Sequence, residues 1–428
     1  MIIICEPQCK EFSHEKVNSG FIYALRLAYP EEKLLFYAHK THIEAIRDIL
    51  HHDNAVIDNI EYMPISFQSS FSKAGMRSYG YLFTKIFLAS LANGTDKIFF
   101  LSFSAPILYV IKKLKQKPVF ANMKFALVTH RDFENIADDA DPMVIQPAPP
   151  PPQKKSISEK IKRVKLHEIP AKIFAILRFY WQQTMTERHT AFAQKYITKD
   201  MILWDNSVDF RYIVLSPHIL PNAAKYIDVS KVNIHNVFFP TVFAPVSSQP
   251  ENEFIKFAIF GYGNSAMLHQ VLLHLSKKNV KQQYEIRIIG MDKRGTGGFE
   301  NVTCPSQGKP LTRDEMEIYA SDIDLFLILY GKDSYRLSCS GSIIESLSYM
   351  KPILHFKNDC INFFNNSDSP IGICCDNIDD YVGVMEDMIN NYEAYNKNFE
   401  LFRSNILKQR NKYSIQNSVE SLKNSFQW

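Results

Sequence analysis

Short apolar runs alternate with longer amphipathic segments along most of the chain. In the first half, runs of buried-strand length occur at residues 2–5, 34–37, 97–101 and 125–129. A second series follows at residues 257–260, 285–289, 325–329 and 352–356. Continuous apolar runs separated by helix-length stretches are typical of parallel sheets with helices on both faces. The pattern therefore predicts an α/β protein with two doubly wound sheets in tandem.

Proline and small polar residues separate the two series. Pro240, Pro245 and a Ser-Ser-Gln-Pro-Glu-Asn stretch at 247–252 have the composition of an exposed interdomain linker. We predict an N-terminal domain over residues 1–245 and a C-terminal domain over residues 246–391. The closing segment, residues 392–428, is polar and helix-compatible, and we expect it to pack back onto the first domain.

An unusual segment interrupts the predicted N-terminal domain. Residues 146–153 are rich in proline and favour an exposed polyproline II excursion. Residues 154–181 then place a basic cluster before an aromatic, apolar run, which is a pattern that can hold a helix at an anionic membrane surface. The alternative is an ordinary amphipathic helix on the domain core whose charges are solvated. Both interpretations of residues 154–181 remain open at this point.

Charge and cysteine content narrow the class of protein. The 49 Lys and Arg against 45 Asp and Glu leave a net charge of +4, too small to indicate nucleic acid as the main partner. Seven cysteines without paired Cys-x-x-Cys sets indicate a reducing compartment rather than a disulfide framework. The pattern at the N-terminus predicts a strand and not a signal peptide. No run of apolar residues is long enough to span a membrane. We expect a cytoplasmic protein.

The segment after the predicted strand at 325–329 carries the strongest candidate chemistry. Three small residues stand at a predicted helix start: Ser340, Gly341 and Ser342. Their backbone N–H groups and the helix dipole favour a phosphate there. One turn later, Glu345 could accept hydrogen bonds from ribose hydroxyls, while Arg336 or Lys332 could neutralise a diphosphate. The alternative is a capping serine run with Glu345 complementing the helix dipole.

This segment resembles the donor site of the GT-B glycosyltransferases. The likeness is greatest to the retaining family of bacterial polysaccharide and lipopolysaccharide enzymes, whose motif ends in Glu-Ala-Met-Ala-x-Gly-x-Pro-Val-Ile. Residues 345–354 read Glu-Ser-Leu-Ser-Tyr-Met-Lys-Pro-Ile-Leu in this chain. The resemblance is diffuse over most of the sequence and sharpest from about residue 312 to 354. It implies two Rossmann-like domains that face a cleft, with the nucleotide sugar held by the C-terminal domain.

Two features depart from that family's pattern. A second glutamate usually lies eight positions before the one that corresponds to Glu345, and Leu337 occupies that position here. The Arg and Lys that often follow the first C-terminal strand are also missing from residues 260–265. The resemblance then implies that Arg336 and Lys332 bind the diphosphate, and it leaves open whether the anomeric configuration is retained or inverted.

The loop after the strand at 257–260 carries a glycine pattern that has two interpretations. Gly261, Gly263 and Ala266 match the dinucleotide fingerprint of NAD-binding proteins. An acidic residue at the end of the next strand, which NAD binding needs, is absent at the expected distance. In a GT-B protein the same loop, including Asn264, faces the cleft near the donor phosphates or the acceptor, and we favour that interpretation.

Candidate residues also follow strands in the N-terminal half. His130 comes directly after the strand at 125–129, at a carboxyl strand end where α/β sheets bind ligands. The resemblance implies a place near the reacting sugar; the alternative is a histidine bonded to a backbone carbonyl. Glu6, His14 and Asn18 lie between the first strand and first helix, and the Asn-Ser-Gly-Phe start at 18–21 resembles the acceptor side of these enzymes.

These observations lead to a hypothesis of sugar transfer from a nucleotide diphosphate sugar to a saccharide or lipid-linked acceptor. His130 and Glu345 are the residues that we expect to act at the reacting sugar and the donor. No metal-ligand spacing is present, so we expect neither a metal nor a cofactor beyond the nucleotide sugar as co-substrate. The alternatives are a nucleotide-sugar 2-epimerase of the same architecture, a non-catalytic saccharide- or partner-binding protein, and an NAD-dependent oxidoreductase.

Overall fold

The computed structural model describes most of the chain. The described residues are 1–55, 57–68, 72–137, 198–204, 207–246, 248, 250–261, 264–290, 299–307, 309 and 311–427. The proline-rich segment 146–153, the basic and aromatic segment 154–181 and Gly263 lie outside these ranges. Within them, no helix is both long and apolar enough to cross a membrane.

The N-terminal sheet has seven strands, all parallel, in the order β3-β2-β1-β4-β5-β6-β7. The strands are β1 Ile2–Cys5, β2 Leu34–His39, β3 Ile60–Ile65, β4 Lys97–Phe100, β5 Lys124–Val128, β6 Phe210–Val214 and β7 Ile234–Asn236. The described helices are α1 Glu15–Ala28, α2 Lys40–His52, α3 Lys73–Ala92, α4 Ala105–Lys115, α5 Thr198–Leu203 and α6 Ile219–Ala223. A 3-10 helix, Arg131–Ile136, follows β5.

The C-terminal sheet has six parallel strands in the order β10-β9-β8-β11-β12-β13. Its strands are β8 Lys256–Phe260, β9 Glu285–Ile289, β10 Val302–Thr303, β11 Leu325–Ile328, β12 Ile353–Phe356 and β13 Gly372–Cys375. The helices are α7 Ser265–Leu275, α8 Arg313–Ser321, α9 Gly341–Ser348, α10 Asp359–Phe364, α11 Ile378–Asn390, α12 Asn396–Lys412 and α13 Ile415–Phe426. Two doubly wound sheets, the predicted fold class, are thus confirmed.

Helix α9 is short because the sequence stops it on both sides. Its buried face carries Ile343, Ile344 and Leu347, which are fully excluded from solvent. Met350 adopts a φ of 57°, the left-handed conformation that ends helices, and Pro352 cannot continue one. The following strand β12 therefore begins at once, and the start of α9 is held at the carboxyl edge of the sheet.

The last two helices cross from one sheet to the other. In α12, Arg410 donates to the carbonyls of Ser348 in the C-terminal sheet domain and of Ala244 in the connection. Helix α13 packs on the N-terminal sheet, where the ring of Phe426 lies 5.8 Å from that of Phe99. The connection itself also touches the first helix closely, since a Cβ on Gly20 would lie 2.0 Å from the carbonyl oxygen of Pro240.

Candidate functional site

The carboxyl edges of the two sheets face each other across a set of direct contacts. The 3-10 helix after β5 places Glu134 against the loop after β11, where its Oε1 accepts from the Leu337 amide at 2.9 Å and from the Ser338 hydroxyl at 2.6 Å. After β6, His218 Nε2 donates to the Tyr335 carbonyl at 2.9 Å. The loops that follow strands in both domains therefore form one shared region.

Glu345 lies in this region at the centre of an ionic cluster. Its Oε2 is 2.6 Å from Nζ of Lys16 in α1, and its Oε1 is 3.0 Å from a guanidinium nitrogen of Arg313 in α8. Glu15 adds a longer contact to Arg313 at 3.9 Å. We call these four residues the ionic contact; the Lys16 and Glu345 side chains are 14% and 9% exposed.

The pKa values in the ionic contact follow from burial and from the paired charges. Burial alone would raise the pKa of Glu345, but Lys16 and Arg313 outweigh it and hold the pKa below its ordinary value. Glu15 has no such close partner, so burial raises its pKa to about 7 in spite of Arg313. Glu345 is therefore ionised at neutral pH, whereas Glu15 is only partly so.

The first turn of α9 is open to solvent at its glycine. Gly341 is exposed, and a Cβ placed on it would meet no atom within 4 Å. Ser340 at the N-cap makes no capping hydrogen bond because its hydroxyl donates to the Tyr330 hydroxyl at 2.9 Å. Ser342 donates to the Phe260 carbonyl at 3.0 Å. Both serine hydroxyls thus bond residues outside α9, and no side chain caps the start of the helix.

The two cations predicted to bind a diphosphate lie in the loop before α9, and their part in binding stays a prediction. The Arg336 guanidinium donates to the Tyr226 hydroxyl of the N-terminal domain at 3.1 Å and lies 5.9 Å from the centre of that ring. Lys332 is exposed in the β11–α9 loop, residues 329–340. The part of the chain that the structure describes brings Lys16 and Arg313, not these two, to Glu345.

The glycine loop after β8 lies directly beside α9. Gly261 has a φ of 76°, and a Cβ there would lie 3.3 Å from Oγ of Ser342. A side chain at this position would be strained and would crowd the start of α9. Asn264 caps α7, since its side chain accepts from the Met267 amide at 3.1 Å. Gly261 thus belongs to the neighbourhood of α9, while Asn264 has a capping role.

His130 and His14 lie together on the N-terminal side. Their ring centres are 4.3 Å apart. His130 Nε2 bonds the Leu101 carbonyl at 2.8 Å, so Nε2 carries the proton. Burial, and then the charge of His14, hold the pKa of His130 well below its ordinary value. The ring is therefore neutral at pH 7, and its Nδ1 is a hydrogen-bond acceptor.

Glu6 and Asn18 form a separate, fully buried cluster. The Glu6 carboxylate accepts from the Asn18 amide at 3.1 Å and from two backbone amides and the Ser102 hydroxyl. The same Asn18 amide nitrogen lies 3.0 Å from Nε2 of His42. Oε1 of Glu6 accepts three of these bonds and Oε2 accepts one, and both Glu6 and Asn18 are excluded from solvent. The two residues hold the β1–α1 loop, and any part in acceptor binding stays a prediction.

The site contains residues that the sequence did not single out. These are Glu15, Lys16, His42, Glu134, Tyr226 and Arg313. Their positions along the chain give no spacing signal, because Lys16 and Glu345 are separated by 329 residues. Among the described residues, no group of His, Cys, Asp or Glu side chains is arranged to hold a metal ion.

Comparison with solved structures identifies the arrangement of the two sheets. The chain is similar to S. aureus TarM, with a TM-score of 0.58, 12% identity, and coverage of 100% of this chain and 98% of that one. It is also similar to a glycosyltransferase from Rickettsia africae, with a TM-score of 0.56, 11% identity and coverage of 99% and 97%.

A third solved structure has a bound nucleotide. Anabaena HepE in complex with UDP matches with a TM-score of 0.54, 9% identity, and coverage of 99% of both chains. No protein-family model matches the sequence, and no curated protein matches it. The likeness is therefore one of structure, and this chain has the GT-B fold, with two Rossmann-like domains whose carboxyl edges face each other.

Proposed function

We propose that this protein is a glycosyltransferase that moves a sugar from a nucleoside diphosphate to a saccharide or lipid-linked acceptor. The observation that carries the proposal is the open, uncapped start of α9 at Gly341, one turn before the buried carboxylate of Glu345. A helix start favours phosphate oxygens, and a carboxylate one turn on suits ribose hydroxyls. The neighbours support the same ligand class, since HepE is in complex with UDP and WaaB is described as a lipopolysaccharide outer core galactosyltransferase.

In this proposal Glu345 keeps its partners and accepts further bonds. Each of its oxygens accepts one bond from Lys16 or Arg313, and a carboxylate oxygen can accept two. Ribose hydroxyls would use the remaining lone pairs. The departing diphosphate would gain stabilisation from the α9 amides and nearby cations, so that negative charge develops in a prepared environment.

His130 is the proposed contact to the reacting sugar on the opposite side. Its neutral ring presents Nδ1, which can accept a hydrogen bond from a sugar hydroxyl or receive a proton. His14, with its ring centre 4.3 Å away, is the second imidazole on that side. The pair would orient the acceptor and the transferred sugar rather than the nucleotide.

Nucleotide binding tests the proposal directly. Thermal unfolding of the purified protein is followed with UDP, GDP, ADP, CDP, dTDP and NAD, because a ligand at a hundred times its Kd stabilises the native state by about 2.7 kcal/mol. We expect a shift with one nucleoside diphosphate, lost in Glu345→Gln and kept in the exposed control Glu393→Gln. No shift with any nucleotide contradicts the proposal and favours a non-catalytic binding protein.

Product analysis then distinguishes the enzyme classes. Incubation of the matching nucleotide sugar without an acceptor should leave it intact apart from slow hydrolysis. Formation of an altered nucleotide sugar would instead show a 2-epimerase. A shift with NAD alone would favour the dinucleotide interpretation of Gly261.

We further propose a cytoplasmic location with contact to an anionic membrane through residues 154–181, in the biosynthesis of a surface polysaccharide. The basic and aromatic composition of that segment supports the membrane contact. The similarity to WaaB, a lipopolysaccharide outer core galactosyltransferase, supports the pathway. Flotation of the full chain with phosphatidylglycerol vesicles tests it. We expect salt-sensitive binding, and no binding at low salt contradicts the proposal.

A further inference from the structure

Two basic side chains from different domains converge on one carboxylate beside α9. Lys16 and Arg313 both contact Glu345, and their side chains are only 14% and 13% exposed. Removing two neighbouring cations from water is costly unless anions compensate them. Glu345 supplies one negative charge against the two positive ones. How far the cations are compensated therefore depends on the second carboxylate in contact with them, Glu15.

That next carboxylate, Glu15, compensates only in part. It lies 3.9 Å from Arg313, which is a weak ion pair. Burial raises its pKa to about 7, so a substantial fraction is uncharged near neutral pH. Burial lowers the pKa of Lys16, while the nearby charges of Glu345 and Asp53 raise it. A further anion at the cluster of Glu15, Lys16, Arg313 and Glu345 would stabilise the charged form of Lys16 and so offset the cost of its burial.

The cation pair and the open helix start lie on the same side of α9. Gly341 and Glu345 are four residues apart, which places them on one face of the helix. Gly341 is exposed, with open space where a Cβ would stand. An anion at the first turn of α9 is therefore next to the group that Lys16 and Arg313 already contact.

We propose that Lys16 and Arg313 bind the diphosphate of the nucleotide donor, with Lys16 supplied by the N-terminal domain. The inference rests on the proposed function and replaces Arg336 and Lys332 as the diphosphate cations. A guanidinium can donate two bonds to phosphate oxygens, and the ammonium adds a point charge. Donor binding would then require the two domains to be together, because one cation comes from each.

Inorganic diphosphate is a probe that isolates this contact, because it has no ribose for Glu345 to bind. Calorimetric titration should show affinity about ten-fold or more weaker in Lys16→Gln and in Arg313→Gln, since each loses a charge-assisted bond. Glu345→Gln should bind the probe several-fold more tightly, because a competing carboxylate is removed. Lys40→Gln, an exposed lysine on α2, is the matched control and should bind as the wild type does.

Two further measurements distinguish loss of binding from unfolding, and failure of the cation pair from failure of the proposed function. Lys16→Arg keeps the positive charge and should still bind diphosphate even if Lys16→Gln unfolds. Loss of binding in a folded Lys16→Arg variant would overturn the inference. If a nucleoside diphosphate binds the wild type, Lys16→Gln and Arg313→Gln with equal affinity, the cation pair is refuted and the proposed function stands. If no nucleotide binds the wild type, the proposed function itself fails.

Discussion

The two domains touch through contacts of contrasting chemistry. The ionic contact joins α1 to α8 and α9 through Glu15, Lys16, Arg313 and Glu345. The β11–α9 loop forms a second contact, which we call the loop contact. There Leu337 is fully buried in the apolar cluster of the N-terminal sheet, and Glu134, His218 and Asn222 bond the loop's polar atoms.

The difference indicates which contact holds the domains and which can change. Burying charges costs desolvation energy that offsets most of the Coulomb attraction, so an ionic contact adds little net stability. Burying a leucine contributes about 1.5 to 3 kcal/mol with no such offset. Of these two contacts, the loop contact should therefore contribute more to holding the domains together, while the ionic contact exchanges partners with an anionic ligand.

Of the changes to the two contacts, replacing the buried Leu337 should have the largest effect. Leu337→Ala removes an apolar side chain from a closed cluster, at a cost of about 2 to 5 kcal/mol. We expect amide hydrogen exchange in residues 331–340 to accelerate by about thirty-fold or more if that cost falls on local opening, since about 1.4 kcal/mol is a factor of ten. Exchange in α1 should change much less.

The control is a leucine buried in one domain only. Leu272, on α7, is 2% exposed and lies in the apolar cluster of the C-terminal sheet. Leu272→Ala should lower the stability of that domain without selectively freeing the β11–α9 loop. Equal exchange of the loop in both variants would show that Leu337 is an ordinary core residue.

Removing the carboxylate at the loop contact should have the next largest effect. Glu134→Ala takes away the acceptor for the Leu337 amide and the Ser338 hydroxyl, and hydrogen bonds to charged groups contribute about 1.5 to 3 kcal/mol. We expect the Leu337 amide to exchange about ten- to a hundred-fold faster. Glu134→Gln keeps an acceptor, so its exchange rate at the Leu337 amide should lie between those of the wild type and Glu134→Ala. Equal rates in both variants would argue that the carboxylate does not hold this amide.

Most central strands could be predicted from the sequence because they are buried on both faces and leave continuous apolar runs. The missed strands are β3, β6, β7, β10 and β13, and all except β6 are the edges of the two sheets. In β6, Arg211 interrupts the apolar run. Edge strands face solvent on one side, and Glu61 and Pro64 break the apolar run of β3. Hydrophobic patterning therefore locates the middle of a parallel sheet better than its borders.

The candidate site could be predicted only where one stretch of chain builds it. Ser340, Gly341 and Glu345 stand within a single turn-and-helix segment, so their spacing places them together. The cations that contact Glu345 could not be found that way, because Lys16 and Arg313 lie in other parts of the chain. Arg336 is near in sequence and bonds Tyr226, and its part in diphosphate binding stays a prediction. Contacts between domains depend on how two sheets are oriented, which no local spacing encodes.

The smallest expected effect concerns the pH dependence of the ionic contact. Burial raises the pKa of Glu15 from its ordinary 4.5 to about 7, so its protonated form is the one that the native state favours. This contribution to stability is complete below about pH 4.5 and is lost as the pH rises through 7. Between pH 6 and pH 8 the loss amounts to about 1.4 kcal/mol. Denaturant titrations at both values should show that the wild type loses about this much stability relative to Glu15→Gln, which stays neutral. The comparison is with the variant because buried histidines whose pKa values are lowered, such as His130 and His355, change the stability of both proteins alike. The exposed control Glu44→Gln should follow the wild type. An unchanged dependence on pH in Glu15→Gln would show that Glu15 is ionised throughout. Two ionised carboxylates, Glu15 and Glu345, would then face the two cations, and the cluster would have little need of a further anion.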